Sequence, residues 1–142
     1  MKMILFTAMA ALLLASAGCK SVSSSFSRND DTKVVARILA KSASSPLAFG
    51  DQAGAQQLLS SLDASENFTF GAVLDAKKQV FASYSRPDQI SKKEKFLARV
   101  AQSVPTDSAE TLTVSDGLAI AMVRIGAKEG TIGYVAVARK AQ

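Results

Sequence analysis

The spacing of apolar residues predicts two helices in the first half of the chain. The first begins after capping residues near Asp30, and its stripe consists of Val34, Val35, Ile38 and Leu39. A serine-rich segment that ends at Pro46 interrupts the stripe, so this helix is predicted to end there. Asp51 then caps a second helix, and its core-facing residues are Ala55, Leu58, Leu59 and Leu62.

Apolar residues at every second position and a strong turn signal predict strands in the rest of the chain. Apolar residues alternate over 68–74 and 80–84, as in two adjacent strands. Asp116-Gly117 lies between the apolar runs 111–114 and 118–125 and predicts a hairpin. A second turn at 126–130 leads to a last strand at 131–138. The unbroken apolar character of the last two strands predicts central positions in a sheet that helices cover on at least one face.

A third helix is predicted between the two pairs of strands. Ser91 and Glu94 match a capping box at its start, after a loop at 86–88, and Pro105 ends it. The helix is expected to bury Phe96, Leu97 and Val100 and to present Lys92, Lys93, Lys95 and Arg99 outward. That basic face could contact lipid head groups, but a solvated surface is the more ordinary interpretation. The order ααββαβββ predicts an α+β domain with an antiparallel sheet of about five strands and three helices.

The N-terminus carries a signal that is separate from the fold. A basic start at Lys2 is followed by an apolar run over residues 4–14, the length of a secretory signal rather than of a membrane span. Ala17 and Gly18 directly precede Cys19, the only cysteine of the chain, and this pattern resembles a lipobox. It predicts cleavage after residue 18 and lipidation of Cys19 with a diacylglycerol and an N-acyl chain, enough for stable membrane anchoring. The alternative is an ordinary signal peptide cut near Ala17 that leaves Cys19 free.

The predicted organisation is therefore a signal peptide at 1–18, a lipidated cysteine with a flexible serine-rich tether at 19–29, and one folded domain at 30–142. In lipoproteins, an aspartate after the lipidated cysteine favours retention in the inner membrane. Lys20 stands at that position here. We therefore expect the protein on the outer membrane, facing the periplasm.

Three segments resemble a known family. Ser-Pro-Leu-Ala-Phe-Gly-Asp at 45–51, Phe-Gly-Ala-Val-Leu-Asp at 70–75 and Val-Phe-Ala-Ser-Tyr at 80–84 are similar to the CHASE8 periplasmic sensor domain, a relative of PAS-like and Cache input modules. The chain departs from the family pattern at residues 76–78, where Ala-Lys-Lys replaces the usual Asp-x-Asp-Gly turn. A longer or differently shaped loop is expected there.

The resemblance implies that residues 30–142 form a PAS-like, CHASE8-like sensor domain with a role in envelope signalling. CHASE8 domains generally form the periplasmic input of membrane-spanning receptors. The sequence shows neither a second transmembrane segment nor an output domain, so the chain is expected to act through another envelope protein.

The composition argues against catalysis. The chain contains no histidine, so a Ser-His-Asp or Cys-His nucleophile system cannot be assembled, and the commonest metal ligand is missing. We expect no enzyme activity, no cofactor and no metal site. The net charge of +5 does not indicate nucleic acid binding, because no basic run is interleaved with aromatic residues.

A PAS-like domain can hold a small molecule between its sheet and helices. The predicted ligand-binding residues are Phe81, Tyr84, Arg86, Arg124 and Tyr134, with Phe70 and Met122 as further wall residues. The alternative is that the aromatic residues form core and the arginines are solvated. Two functions follow: a non-catalytic sensor or regulatory binding module, or a structural lipoprotein that docks other proteins and has no ligand.

Overall fold

A computed structural model of the chain describes residues 28–127 and 130–141. The predicted signal peptide, Cys19 and residues 19–27 of the predicted tether lie outside the described residues. The described part forms three α-helices and five strands: α1 Arg28–Ala48, α2 Gln52–Ser60, β1 Phe68–Asp75, β2 Val80–Ser85, α3 Lys93–Gln102, β3 Glu110–Ser115, β4 Leu118–Ala127 and β5 Gly130–Lys140. Short 3₁₀ helices at Ser61–Ala64 and Pro87–Lys92 follow α2 and precede α3.

The strands form one antiparallel sheet in the order β2-β1-β5-β4-β3. The predicted α+β class, element order and five-stranded antiparallel sheet are confirmed. β5 lies at the centre of the sheet and β4 beside it, as their continuous apolar sequences predicted. Apolar side chains are needed on both sides of such strands when both faces of the sheet are covered.

Helices cover both faces of the sheet. α1 and α2 pack on one face, where Val73 and Val135 are fully buried. α3 packs on the opposite face, together with Leu74 and Ala136. Neighbouring residues of one strand therefore belong to different cores, because side chains alternate across a sheet. The face under α3 is covered by a single short helix.

α1 extends beyond its predicted end at the serine-rich segment and includes Pro46. The proline has no amide to donate to the Ser42 carbonyl, so the last turn of α1 lacks one hydrogen bond. The carbonyls of Ser45 and Pro46 still accept from the amides of Phe49 and Asp51, at 3.1 and 2.7 Å. The next residue, Leu47, packs against the core under α1 and α2, which gives the extra turn a tertiary partner. The chain turns at Gly50, whose φ is 68°.

The predicted start of α3 at a Ser91 capping box is wrong. Ser91 lies in the 3₁₀ helix Pro87–Lys92, which replaces the loop predicted at 86–88, and α3 begins at Lys93 without a side-chain cap. The Lys93 amide donates instead to the carbonyl of Ile90. A continuous 3₁₀-to-α run supplies backbone acceptors for the first amides, so the cap is not needed. Phe96, Leu97 and Val100 are buried as predicted.

Two tight turns have the backbone geometry that their sequences require. Asp116 and Gly117 have φ angles of 52° and 73°, as in the two-residue hairpin that was predicted. Between β1 and β2, the Asp75 carboxylate accepts hydrogen bonds from the amides of Lys77 and Gln79, both 2.9 Å long. Residues 128 and 129 of the predicted turn at 126–130 lie outside the described part of the chain.

Candidate functional site

A cavity of about 430 Å³ lies between α3 and the sheet, near the start of β1 and β4 and the end of β5. We call it the basic cavity. It is lined by Thr69, Phe70, Gln89, Lys92, Lys95, Phe96, Arg99, Asp116, Gly117, Leu118, Ile120, Lys140 and Ala141. Its volume falls in the range of about 300–1,000 Å³ that small-molecule sites occupy.

The floor of the basic cavity is apolar and firmly packed. Phe70 of β1 and Phe96 of α3 stack with ring centroids 4.8 Å apart and planes inclined by 14°. Ile120 of β4 lies beside them in the same core and is 2% exposed. Stacked aromatic rings held by a sheet and a helix give the floor a fixed shape.

The rim of the basic cavity is positively charged. Lys92, Lys95 and Arg99 follow one another at spacings of three and four residues, which places them on one side of the helical segment. Lys140 at the end of β5 completes the group of cations, and Asp116 is the one carboxylate among the described lining residues.

Asp116 joins the cations of α3 to the turn between β3 and β4. Its carboxylate accepts a hydrogen bond of 2.5 Å from the Arg99 guanidinium and lies 3.3 Å from the Lys95 Nζ. Arg99 also donates to the Ser115 hydroxyl at 2.8 Å. The Arg99 hydrogen bond, with a further contribution from Lys95, lowers the pKa of Asp116 below its usual value. Asp116 is therefore ionised at neutral pH and partly neutralises the rim.

Three predicted ligand-binding residues lie near α2, on the other side of the sheet or at its edge. Phe81 and Tyr84 of β2 pack against the core under α1 and α2. The Tyr84 hydroxyl donates to Asp63 at 3.0 Å, and burial together with this hydrogen bond raises the pKa of Tyr84. Arg86 donates to the Glu66 carbonyl at 2.7 Å. These side chains connect β2 to the segment after α2.

The other two predicted residues form a cross-strand pair. Arg124 of β4 lies opposite Tyr134 of β5, and Tyr134 packs against the core under α3. The structure thus does not bring the five predicted residues together, and none of them is among the described residues that line the basic cavity. Of the further wall residues, Phe70 lines the cavity, while Met122 is buried in the adjoining core.

The residues that the sequence analysis missed are the rim cations and Asp116. Lys92, Lys95 and Arg99 were predicted to point outward with Lys93, yet these three line a cavity and Lys93 does not. Their spacing beside Phe96 was the available signal. The aspartate of the hairpin turn gave no signal, because an Asp-Gly turn is explained by its backbone geometry alone.

A second cavity, of about 530 Å³, lies beside α1 and the end of β4. Val34 and Ile38 of α1 line it and are 45% and 58% exposed. Arg124 also lines this second cavity.

The model of the CHASE8 periplasmic sensor domain matches residues 26–138. The chain belongs to the CHASE8 family. The matched range contains every helix of the described part and all but the last two residues of β5, so the CHASE8 domain includes most of the basic cavity. A search of curated proteins found no significant match.

Two further properties of the CHASE8 domain concern its described residues only. None of the helices in 28–127 and 130–141 is long and apolar enough to cross a membrane. Within the same ranges, no three acidic, histidine or cysteine side chains come together to form a metal-binding group.

Proposed function

We propose that this protein is a non-catalytic sensor or regulatory module that is anchored to the outer membrane and faces the periplasm. Its CHASE8 domain binds a small molecule in the basic cavity and communicates the occupied state to a protein partner in the envelope. The observation that carries the proposal is the cavity itself. It combines a rigid apolar floor with polar groups that converge from α3, the β3–β4 turn and the end of β5.

The ion pairs and hydrogen bonds around the cavity support signalling by ligand binding. Arg99 and Lys95 of α3 hold the β3–β4 turn through Asp116, and the Ala141 amide donates to the Gly117 carbonyl at 2.8 Å. A ligand in the cavity would contact both α3 and this turn. Its binding energy can therefore change the position of one relative to the other.

A variant with a filled cavity tests this function. Leu118 lines the basic cavity, and Leu118→Trp should fill it with indole. Val114→Trp is the matched control, because Val114 is 62% exposed on the neighbouring strand and does not line the cavity. The wild type is first crosslinked in cells, and the envelope proteins that it captures are identified. The amount of one such partner captured by each variant is then compared with the amount captured by the wild type.

We expect Leu118→Trp to change the captured amount of that partner and Val114→Trp to leave it unchanged. Equal capture by the wild type and both variants would contradict a role for the cavity in signalling. Recovery of only abundant envelope proteins would contradict a dedicated partner.

The lipid anchor is tested separately by fatty-acid labelling. Cys19→Ser should lose the label, and equal labelling of the wild type and Cys19→Ser would refute the anchor. Lys20→Asp should move the protein from the outer-membrane to the inner-membrane fraction of a density gradient. An unchanged distribution would refute the assignment to the outer membrane.

A second candidate function is that of a structural lipoprotein that docks other proteins without a ligand. The exposure of Val34 and Ile38 on α1 favours it, because these two neighbouring apolar side chains face the solvent beside the second cavity. This candidate predicts that Leu118→Trp leaves partner capture unchanged and that Ile38→Asp reduces it.

A further inference from the structure

We infer that the ligand of the basic cavity is a small organic anion, and that its acidic group replaces the Asp116 carboxylate beside Arg99 and Lys95. The inference rests on the proposed function and adds the chemical class of the ligand. Asp116 is then an internal counter-ion that occupies the anion site when the ligand is absent.

The positive charge on the rim favours the binding of an anion. Four cationic side chains, Lys92, Lys95, Arg99 and Lys140, line the cavity, and Asp116 is the single carboxylate among its described lining residues. Like charges around one concave site repel each other and together attract a counter-ion. A carboxylate or phosphate group entering the cavity relieves that repulsion, whereas a neutral ligand does not.

Arg99 is already oriented to bind an oxyanion. Its side chain is 29% exposed, and its guanidinium is held by the Ser115 hydroxyl on one nitrogen and by Asp116 on another. A guanidinium that makes two directed hydrogen bonds loses little further freedom when a second oxyanion replaces the first. Lys95, 74% exposed, adds a mobile charge beside it.

The floor determines that the anion is organic. Phe70, Phe96 and Ile120 present an apolar surface directly below the charged rim. These three side chains are almost fully buried, so an inorganic ion would satisfy the rim and leave the space above the floor to water. A ligand with an acidic group and a compact apolar body satisfies both parts, because its apolar body leaves water when it enters the cavity.

Asp116 can leave the site without being buried elsewhere. Its side chain is 51% exposed at the tip of a two-residue turn, so it can move into water when an acidic group takes its partners. The exchange breaks the ion pairs that connect α3 to the β3–β4 turn. Ligand binding would thus loosen the β3–β4 turn, while the acidic group of the ligand neutralises Arg99 and Lys95 in place of Asp116.

Titration calorimetry on the purified protein, at constant ionic strength, tests the inference. The probes are phenyl phosphate and benzoate, which distinguish a phosphate from a carboxylate ligand, together with inorganic phosphate and the neutral benzyl alcohol. The variants are Asp116→Asn, Arg99→Gln and Lys95→Gln. Lys93→Gln is the matched control, because it removes the same charge from α3 at a residue that does not line the cavity.

We expect phenyl phosphate or benzoate to bind at least about tenfold more tightly than benzyl alcohol and than inorganic phosphate. Asp116→Asn should strengthen that binding about two- to fivefold, the value of an exposed ion pair. Asn-Gly supports the same turn as Asp-Gly, so the variant should fold. Arg99→Gln should weaken binding about tenfold or more, and Lys95→Gln, a change at an exposed residue, should weaken it less.

Several results would overturn the inference. They are benzyl alcohol binding as tightly as the anions, no anion binding at millimolar concentration, no gain from Asp116→Asn, and an equal loss of affinity in Lys93→Gln and Arg99→Gln. The same titration followed by amide NMR should shift the signal of Gly117, which lines the cavity, and an unshifted Gly117 signal would also overturn the inference. A neutral ligand in the cavity would refute the inference that the ligand is an anion, while leaving the proposed function intact. Anion binding with unchanged partner capture in Leu118→Trp would refute the function alone.

Discussion

Replacement of Gly133 by alanine is expected to destabilise the domain strongly. Gly133 is a buried residue of the central strand β5, paired with Asp75 of β1 and Ile125 of β4. A Cβ atom at this position would lie 2.3 Å from the carbonyl oxygen of Leu74 and 2.4 Å from the Cδ2 atom of Leu47. The leucine side chain can rotate away, but the carbonyl belongs to the backbone of β1.

The structure sets the size of the effect. Carbon and oxygen atoms approach to about 3.3–3.6 Å, so β1 and β5 must separate by roughly 1 Å near Gly133. Overpacking of a core costs about 1–3 kcal/mol, and each weakened backbone hydrogen bond adds about 0.5–1.5 kcal/mol. We expect a loss of about 3 kcal/mol or more in the free energy of unfolding. The midpoint of thermal unfolding should fall by at least about 10 °C.

Urea denaturation followed by circular dichroism measures this loss, with Gly126→Ala as the control. A Cβ at Gly126 meets no atom within 4 Å, and alanine there should change stability by less than about 1 kcal/mol. Equal stability of Gly133→Ala and the wild type would refute the argument. Full recovery when Gly133→Ala is placed in a Leu47→Ala background would show instead that the side-chain contact, and not the carbonyl, limits the space.

Three smaller predictions concern a core residue, a cap and an ion pair. Phe96→Ala should cost about 3–5 kcal/mol in urea denaturation, because it removes a buried ring that stacks on Phe70; a loss below about 1 kcal/mol would contradict this packing. Asp51→Ala should cost about 1 kcal/mol, because the carboxylate accepts the Gly54 amide at 2.9 Å at the start of α2; an unchanged denaturation midpoint would contradict the cap. Glu110→Gln should cost less than about 1 kcal/mol at neutral pH. The hydrogen bond from Arg37 lowers the Glu110 pKa, so this difference should begin to shrink as the pH falls to about 4.3, the pKa of an unfolded glutamate, and should disappear below the lowered pKa of the folded state. A difference that grew in acid would refute the sign.

The sequence by itself determined the elements and their order. Helical and alternating spacings are local consequences of a chain that buries one face, and they identified three helices and five strands without reference to any partner. The Asp116-Gly117 turn was equally predictable, since few residue pairs accept two consecutive positive φ angles. Membership of the CHASE8 family followed from short motifs on these same elements.

Element ends depended on contacts that local patterns do not contain. Pro46 remains in α1 although its missing amide costs one hydrogen bond, because Leu47 packs against the core under α1 and α2. Ser91 does not cap α3 because a 3₁₀ helix already supplies acceptors for the first amides. In both cases the sequence offered a valid local stop or start, and the packing of neighbouring segments replaced it.

Only the tertiary structure decided where the candidate site lies. Phe81 and Tyr84 were sensible wall residues, but the sheet has a helix layer on each face, and β2 turns them towards α1 and α2. The basic cavity joins α3 with the β3–β4 turn and the end of β5, segments as far apart in sequence as Lys92 and Lys140. Periodicity fixes which side of its own element a residue occupies; which distant residues share a cavity is set by strand order and by the face on which each helix packs.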